Sequence, residues 1–251
     1  MAFTRAAGRP LVLAHRGGMG EAVASSLEAF DRAASLGVDG LEIDVHPTSD
    51  RRLVVFHDYR LDPATNMRGP VNGYSFRELE ESLDLDPGGS RRVPPCTFDD
   101  VISRFGELLV SVDIKEDLGR GSWVEDGLAR ICGESAPRVV VASFFDPPIA
   151  RMRRSHPEIH TAATAFEGLA WNLLHRIRCG AGHGYEVLSL PHRFLGAAYI
   201  GHDLVAAAHD EGLAVWVWTV NDAADLLELA EMGADAVITD LPGFALEVLG
   251  G

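Results

Sequence analysis

The stretch "GLEIDV", residues 40–45, alternates aliphatic and acidic side chains. In a strand, residues two apart point to the same side. Glu42 and Asp44 therefore share one side, and Leu41, Ile43 and Val45 share the other. On a half-exposed sheet the carboxylates would simply face water. In a closed barrel no strand face meets water: one side packs on helices and the other fills the interior. Two carboxylates pointing inward need a compensating charge, because isolated buried charge is very costly. "LLVSVDIK", residues 108–115, repeats the pattern with Ser111, Asp113 and Lys115 on one side. Together Glu42, Asp44 and Asp113 form a hard, oxygen-rich ligand set suited to Mg2+ or Ca2+.

The rest of the chain supports a barrel. Strand-type runs at 11–15, 53–58, 138–145, 160–166, 186–192, 213–220 and 235–240 join the two above. Helical patterns separate most of them, at 25–37, 97–105, 122–134, 146–155, 168–178, 201–211 and 222–232. Ser25 and Glu28 read as a capping box for the first helix, with Gly37 as its stop. This alternation predicts an α/β fold, a (β/α)8 TIM barrel forming a single domain over residues 1–251. Nine strand candidates compete for eight places, and the extra one is 53–56 or 160–165. "GVDGLEID" (37–44) and "GADAVITD" (233–240) share Gly, Asp two on and Asp seven on, as repeated units would. Residues 58–95, rich in Pro, Gly and Asn, break the alternation. Following the run that ends at His57, they read as a lid-like insertion over the barrel mouth. The alternative is a surface excursion with its own short helix at 75–83.

The net charge of −15 repels phosphate backbones and anionic lipid surfaces, which excludes nucleic acid as a partner. A small anionic substrate then needs a local cation. Cys96, Cys132 and Cys179 are far apart and form no CxxC pair, so neither a disulfide framework nor a zinc site is expected. With no signal-peptide pattern and no run near the roughly 20 apolar residues of a membrane helix, the expectation is a cytoplasmic protein without a membrane anchor. Oligomeric state is not readable.

His15 and His57 end strand-type runs, at the face where barrel active sites lie. Imidazoles with an ordinary pKa of about 6.5 are proton shuttles near neutrality, so the pair suits general acid and base roles. Arg16 can hold a phosphate in bidentate fashion or pair with a carboxylate, and Lys115 adds a point charge. Trp218, two after Trp216, is either a wall of the site or core. Asn221 and Asp240 read as helix N-caps. Gly17, Gly18 and Gly20 predict a tight turn close to a ligand.

His15-Arg16-Gly17, Glu42-x-Asp44-Val45 and Val55-Phe56-His57-Asp58, with "VDIK", "ASF" (142–144), "WTVN" (218–221) and "ITDLP" (238–242), resemble the signature of the glycerophosphodiester phosphodiesterases. "RELEES" and "RVPPCTFDDV" resemble the segment that this family inserts after its His-Asp pair. The resemblance spans nearly the whole chain. It implies a TIM barrel and metal-dependent hydrolysis of glycerophosphodiesters to sn-glycerol 3-phosphate and an alcohol. It also implies metal ligands at Glu42, Asp44 and Asp113 and catalytic histidines at His15 and His57. Two positions depart from the family. Val23-Ala24-Ser25-Ser26 replaces Pro-Glu-Asn-Thr, with Glu21 nearby, and Asp113 replaces Glu, as in the related spider-venom phospholipases. Rival readings are a phospholipase acting on intact lipid, a non-catalytic barrel that binds a phosphorylated headgroup, and another metal-dependent barrel enzyme such as an aldolase or isomerase.

Overall fold

The computed structural model describes residues 3–5, 8–20, 22–116, 123–174, 184–194 and 197–250. Its frame is β1 (Leu11–His15), β2 (Gly40–Pro47), β3 (Leu53–Val55), β4 (Leu109–Ile114), β5 (Val139–Ala142), β6 (His160–Thr161), β7 (Val187–Pro191), β8 (Arg193–Phe194), β9 (Ala197–Ala198), β10 (Ala214–Trp218) and β11 (Ala236–Thr239). Neighbours run β6-β5-β4-β2-β1-β11-β10-β7, all parallel, and a parallel bridge from Ala162 to Val187 brings the two ends together. These eight strands form the expected barrel.

Helices α1 (Leu27–Leu36), α2 (Phe76–Ser82), α3 (Phe98–Phe105), α4 (Trp123–Cys132), α5 (Asp146–Ser155), α6 (Ala165–Leu174), α7 (His202–Asp210), α8 (Ala223–Met232) and α9 (Pro242–Leu249) complete it. Most match the periodicity within two residues. α6 starts three residues before its expected position, and its expected end at 178 lies outside the described residues, as does Cys179.

The alternation of each strand sorts two cores. Leu41, Ile43 and Val45 join the large cluster under the helices. Leu11, Leu13, Leu109, Ala214, Trp216, Ala236 and Ile238 fill the barrel interior, closed below by Phe3. Trp216 is fully buried there and donates from Nε1 to Phe3 O at 2.9 Å. Gly40 is the one small inward residue on β2 at this level: a Cβ would stand 2.6 Å from Leu109 O.

The sequence echo is structural. Gly37 and Gly233 end helices at φ 81° and 91°, where a side chain would be strained. Asp39 and Asp235 each accept a neighbouring strand's backbone N–H at 2.7 and 2.8 Å, from Val12 and Val215. The third members, Asp44 and Asp240, lie at the opposite end of their strands.

Of the two candidates for the extra strand, it is 53–55. β3 pairs antiparallel with the outer half of β2, Val55 opposite Val45 and Leu53 opposite Pro47. β6 is a barrel strand. His57 thus reaches the mouth from a returning arm and does not end a barrel strand. Phe56 N donates to Asp44 O at 3.1 Å, which sets it there. The insertion at 58–95 carries α2, capped by Ser75 with Glu78, close to the expected 75–83. It packs Leu61, Val71, Phe76, Leu79 and Leu83 against Val54 and Phe56 in a separate apolar cluster.

Two local readings need correction. Ser26, not Ser25, caps α1, accepting from Ala29 N at 3.1 Å, while Glu28 pairs with Arg91. The glycine turn serves the helix beside it: Gly17 has φ 85°, and a Cβ would meet Ala29 Cβ at 2.7 Å and Phe30 Cδ1 at 2.8 Å. At position 17, close packing on α1 demands glycine.

Candidate active site

Register assembles the site. β1 sets His15 beside Glu42, and β2 sets Glu42 beside Ser111 and Asp44 beside Asp113. Each is the last inward residue, or nearly so, of its strand. His15, Arg16, Glu42, Asp44, Asp113, Lys115 and Trp218 all line one cavity of about 580 Å³ at the C-terminal mouth. No residue of 58–95 lines it.

Lys115 Nζ lies 2.8 Å from Asp44 Oδ1 and 2.7 Å from Asp113 Oδ2, all three groups being buried. Arg16 Nε stands 3.3 Å from Asp44 Oδ2, yet neither atom is aligned for a hydrogen bond. Asp113 Oδ1 likewise has no hydrogen-bond partner among the described residues. Burial raises the Glu42 carboxyl well above its ordinary pKa, and the neighbouring charges of Asp44 and Asp113 add to this. Burial raises Asp113 too, against the pull of Lys115. Lys115 is itself raised, because its two carboxylate partners outweigh its burial. The cluster therefore holds three carboxylates against two fixed cations. Two buried carboxylate oxygens without a hydrogen-bond partner among the described residues fit an additional hard cation.

His15 is oriented by residues that the sequence reading assigned elsewhere. Its Nδ1 donates to Asp240 Oδ1 at 2.6 Å, and its Nε2 lies 3.7 Å from Glu42 Oε2. Asn221 Nδ2 donates to Asp240 Oδ2 at 2.7 Å, and Asn221 Oδ1 accepts from Asp240 N at 2.9 Å. The His15 hydrogen bond, more than any other cause, lowers the Asp240 pKa. Neither residue is an N-cap: Asp222 caps α8, and α9 has no side-chain cap. The signal lay in position, since Asp240 is two beyond inward-facing Ile238 on β11.

His57 is half-exposed and donates from Nδ1 to Asp58 Oδ1 at 2.6 Å. Burial lowers its pKa, with Asp58 opposing. Behind it, fully buried His46 donates from Nε2 to His57 O at 3.2 Å, with Nδ1 2.8 Å from Glu116 Oε1. Asn72 of the insertion donates to Glu116 Oε2 at 2.6 Å. His46 and Glu116 were missed: alternation places His46 on the side of Glu42 and Asp44, but it lies one residue beyond the 40–45 stretch.

Trp218 walls the cavity and meets Phe144 edge-on at 5.9 Å, whereas Trp216 is core. His192, Asp225 and Glu228 bring one ligand atom each within 4.8 Å of the others, a tighter cluster than the three carboxylates. Arg193 already pairs with Asp225 at 3.0 Å, so this cluster has its own countercharge.

Residues 15–244 match the family model described as the glycerophosphoryl diester phosphodiesterase family. The YhdW protein of Bacillus subtilis is 30% identical, with 94% of this chain and 96% of that protein covered. A glycerophosphodiester phosphodiesterase of Caldanaerobacter subterraneus is 28% identical, with 93% and 95% covered. Among solved structures, a phosphodiesterase of Oleispira antarctica in complex with the product sn-glycerol-3-phosphate shares the fold at TM-score 0.78 and 23% identity, covering 97% of this chain and 98% of that one. A glycerophosphoryl diester phosphodiesterase domain from Mycobacterium tuberculosis does so at 0.81 and 20%, covering 95% and 98%.

Proposed function

Since the chain belongs to the glycerophosphoryl diester phosphodiesterase family of phosphoric diester hydrolases, we propose that it hydrolyses glycerophosphodiesters to sn-glycerol 3-phosphate and an alcohol, with His15 and His57 transferring protons and a divalent metal ion bound. The observation that carries this reading is the pair of buried oxygens without a hydrogen-bond partner among the described residues, Asp44 Oδ2 (ion-paired with Arg16) and Asp113 Oδ1, in a cavity that also holds His15, Arg16 and Lys115. The product complex of the Oleispira relative supports the choice of product.

Glu42, Asp44 and Asp113 would hold Mg2+ or Ca2+, whose charge offsets that gathering on the phosphoryl oxygens. Arg16 and Lys115 bind the phosphate and stabilise the same charge. With Nδ1 committed to Asp240, His15 is left with Nε2 to take or give a proton. His57, with Nδ1 committed to Asp58, is in the same position. One takes the proton of the attacking hydroxyl; the other protonates the departing oxygen, which leaves poorly as an alkoxide. Each transfer is typically worth about 10² to 10⁴ in rate. Trp218 walls the bound substrate. Within a single domain (1–251), the insertion at 58–95 supports His57 through Asn72 and Glu116 from outside the cavity. A cytoplasmic setting is supported by two free buried thiols, Cys96 and Cys132. Among the described residues, no helix is long and apolar enough to cross a membrane.

The test is release of glycerol 3-phosphate from glycerophosphocholine and glycerophosphoethanolamine, with Mg2+ or Ca2+ against EDTA. Metal-dependent release is expected. No release from folded protein with either metal would refute the reading and point to the Val23–Ser26 departure.

A further inference from the structure

A second cavity, of about 260 Å³, shares no residue with the barrel mouth. Its walls come from the turn between β2 and β3, the start of α3, and α4. Arg51, Arg52 and Arg130 line it, and among the described residues Asp99 is its only carboxylate. None of these arginines has an ion pair among the described residues. Arg52 stands over the Phe76 ring at 5.7 Å. Other arginines of the helical layer are matched: Arg104 of α3 with Asp31 at 2.7 Å, and Arg151 of α5 with Glu125 at 2.9 Å. The acids nearest the cavity in sequence are committed elsewhere. Asp50 accepts from Thr48 Oγ1 at 2.6 Å and from Phe76 N at 2.8 Å. Asp100 accepts from Thr97 N and Oγ1 at 2.8 and 2.6 Å. Glu125 and Asp126 pair with Arg151 and His156. A chain of net charge −15 thus sets three guanidiniums against one carboxylate in a single concavity.

Gly127 points the same way. It stands in the middle of α4, where glycine is the poorest helix former short of proline. Packing does not demand it, since a Cβ would meet Trp123 Cε3 at 3.5 Å, an ordinary contact. What the missing side chain leaves is room in the cavity that Gly127 lines. Arginines around such a space suit a phosphate, whose oxygens the planar guanidinium meets two at a time.

The location gives binding a consequence. Arg51 and Arg52 lie in the turn from which the arm to His57 departs, and Leu53, also in the wall, is the first residue of β3. Arg130 belongs to α4, across the joint. Like charges on the two sides of that joint repel, and an anion between them replaces repulsion with attraction. We propose that this cavity binds a small, multiply charged anion of the phosphate monoester or diphosphate class, and that its occupancy fastens the arm carrying His57 to the helical layer. The binding stands apart from the phosphodiester reading; its effect on turnover rests on that reading.

The experiment titrates inorganic pyrophosphate into the protein in EDTA at constant ionic strength, read by calorimetry. Arg16→Gln weakens the mouth as a competing phosphate site, and binding should persist in that background. Adding Arg51→Gln with Arg130→Gln should weaken it about tenfold or more. So should adding Gly127→Leu, which fills the cavity without changing its charge. Arg154→Gln, at an exposed position outside the cavity, should preserve it. Melting curves confirm that each variant is folded. The same titration with inorganic phosphate and with sn-glycerol 3-phosphate separates free from esterified phosphate as the occupant. Pyrophosphate should slow amide hydrogen exchange at 53–55 in the Arg16→Gln protein, and Gly127→Leu should abolish that protection. With excess Mg2+, inorganic phosphate should raise kcat of the parent and leave that of Gly127→Leu unchanged. Binding that survives both cavity variants, or that Arg16→Gln alone abolishes, overturns the site. Binding that leaves exchange at 53–55 unaltered overturns its hold on the arm, and an unaltered parent kcat overturns its effect on turnover. If no phosphodiester is turned over, the phosphodiester reading fails, and calorimetry and exchange still decide the site.

Discussion

Replacing Lys115 tests the charge balance of the site without reference to turnover. Its ammonium lies 2.8 and 2.7 Å from two buried carboxylates. At an effective dielectric of 20, a pair with charge centres near 4 Å attracts by about 4 kcal/mol. Two such pairs offset the several kcal/mol that each buried ion loses in hydration. In Lys115→Met the stem is replaced at similar size while both anions remain, and removing one partner of a buried pair costs about 3–5 kcal/mol. Protonation of Asp113, whose pKa is already raised, caps the loss. For a chain of this length, 1 kcal/mol corresponds to about 2–4 °C. The variant should melt about 6–20 °C below the parent in EDTA at neutral pH, read by circular dichroism. Mg2+ or Ca2+ should recover most of that difference and should raise the variant more than the parent. A variant within about 2 °C of the parent in EDTA, or one that ignores both metals, would show that these carboxylates neither depend on a cation nor collect one.

Other perturbations follow from the same geometry. Glu42 and Asp113 have folded pKa values raised above the unfolded range, so the stability they contribute is present below about 4 and is lost as pH rises through their folded values. Melting temperature in EDTA should therefore fall from mildly acidic pH toward neutrality, and a saturating divalent cation should flatten that slope; an identical slope with metal would contradict the cluster. Asp240→Asn removes the acceptor that holds His15 Nδ1; kcat should fall by about 10² to 10⁴ with little change in KM, and an unchanged kcat would end its positioning role. His57→Gln, at a half-exposed position, should leave the melting temperature within about 2 °C while lowering kcat by about 10² to 10⁴; wild-type turnover would sink the two-histidine scheme. Gly40→Ala drives a Cβ to 2.6 Å from Leu109 O inside the barrel, so chemical denaturation should show a loss of about 1–3 kcal/mol; a neutral result would mean that the strands part easily there.

The barrel and its charged layer were readable because strand alternation acts locally. Glu42, Asp44 and Asp113 had to share a side, and only a closed sheet gives that side a purpose. What escaped depends on contacts remote in sequence. Asp240 and Asn221 stand after strands and before helices, where capping is the commoner use, and only the 225-residue return to His15 reveals otherwise. The extra strand could not be chosen from composition, because "LVV" and "HT" differ by which neighbours their backbones meet. In the second core under 58–95, Phe76, Leu79 and Leu83 keep a helical spacing, but Leu61 and Val71 stand alone in irregular chain and show no period.

The antiparallel arm gives the two histidines unequal footing. His15 stands on a strand paired on both sides within the barrel. His57 follows a three-residue strand, and its arm shares Val54 and Phe56 with the insertion's own cluster. Such a unit can open as a separate cooperative piece, at a free energy below that of global unfolding. Amide hydrogen exchange would then find the 53–85 region less protected than β1 and β11. In that opened form His15 and all three carboxylates stay in place on the barrel. The protein would retain a state able to hold a cation and a phosphodiester while lacking one of its two proton carriers, so occupancy and turnover become separable quantities in the same molecule.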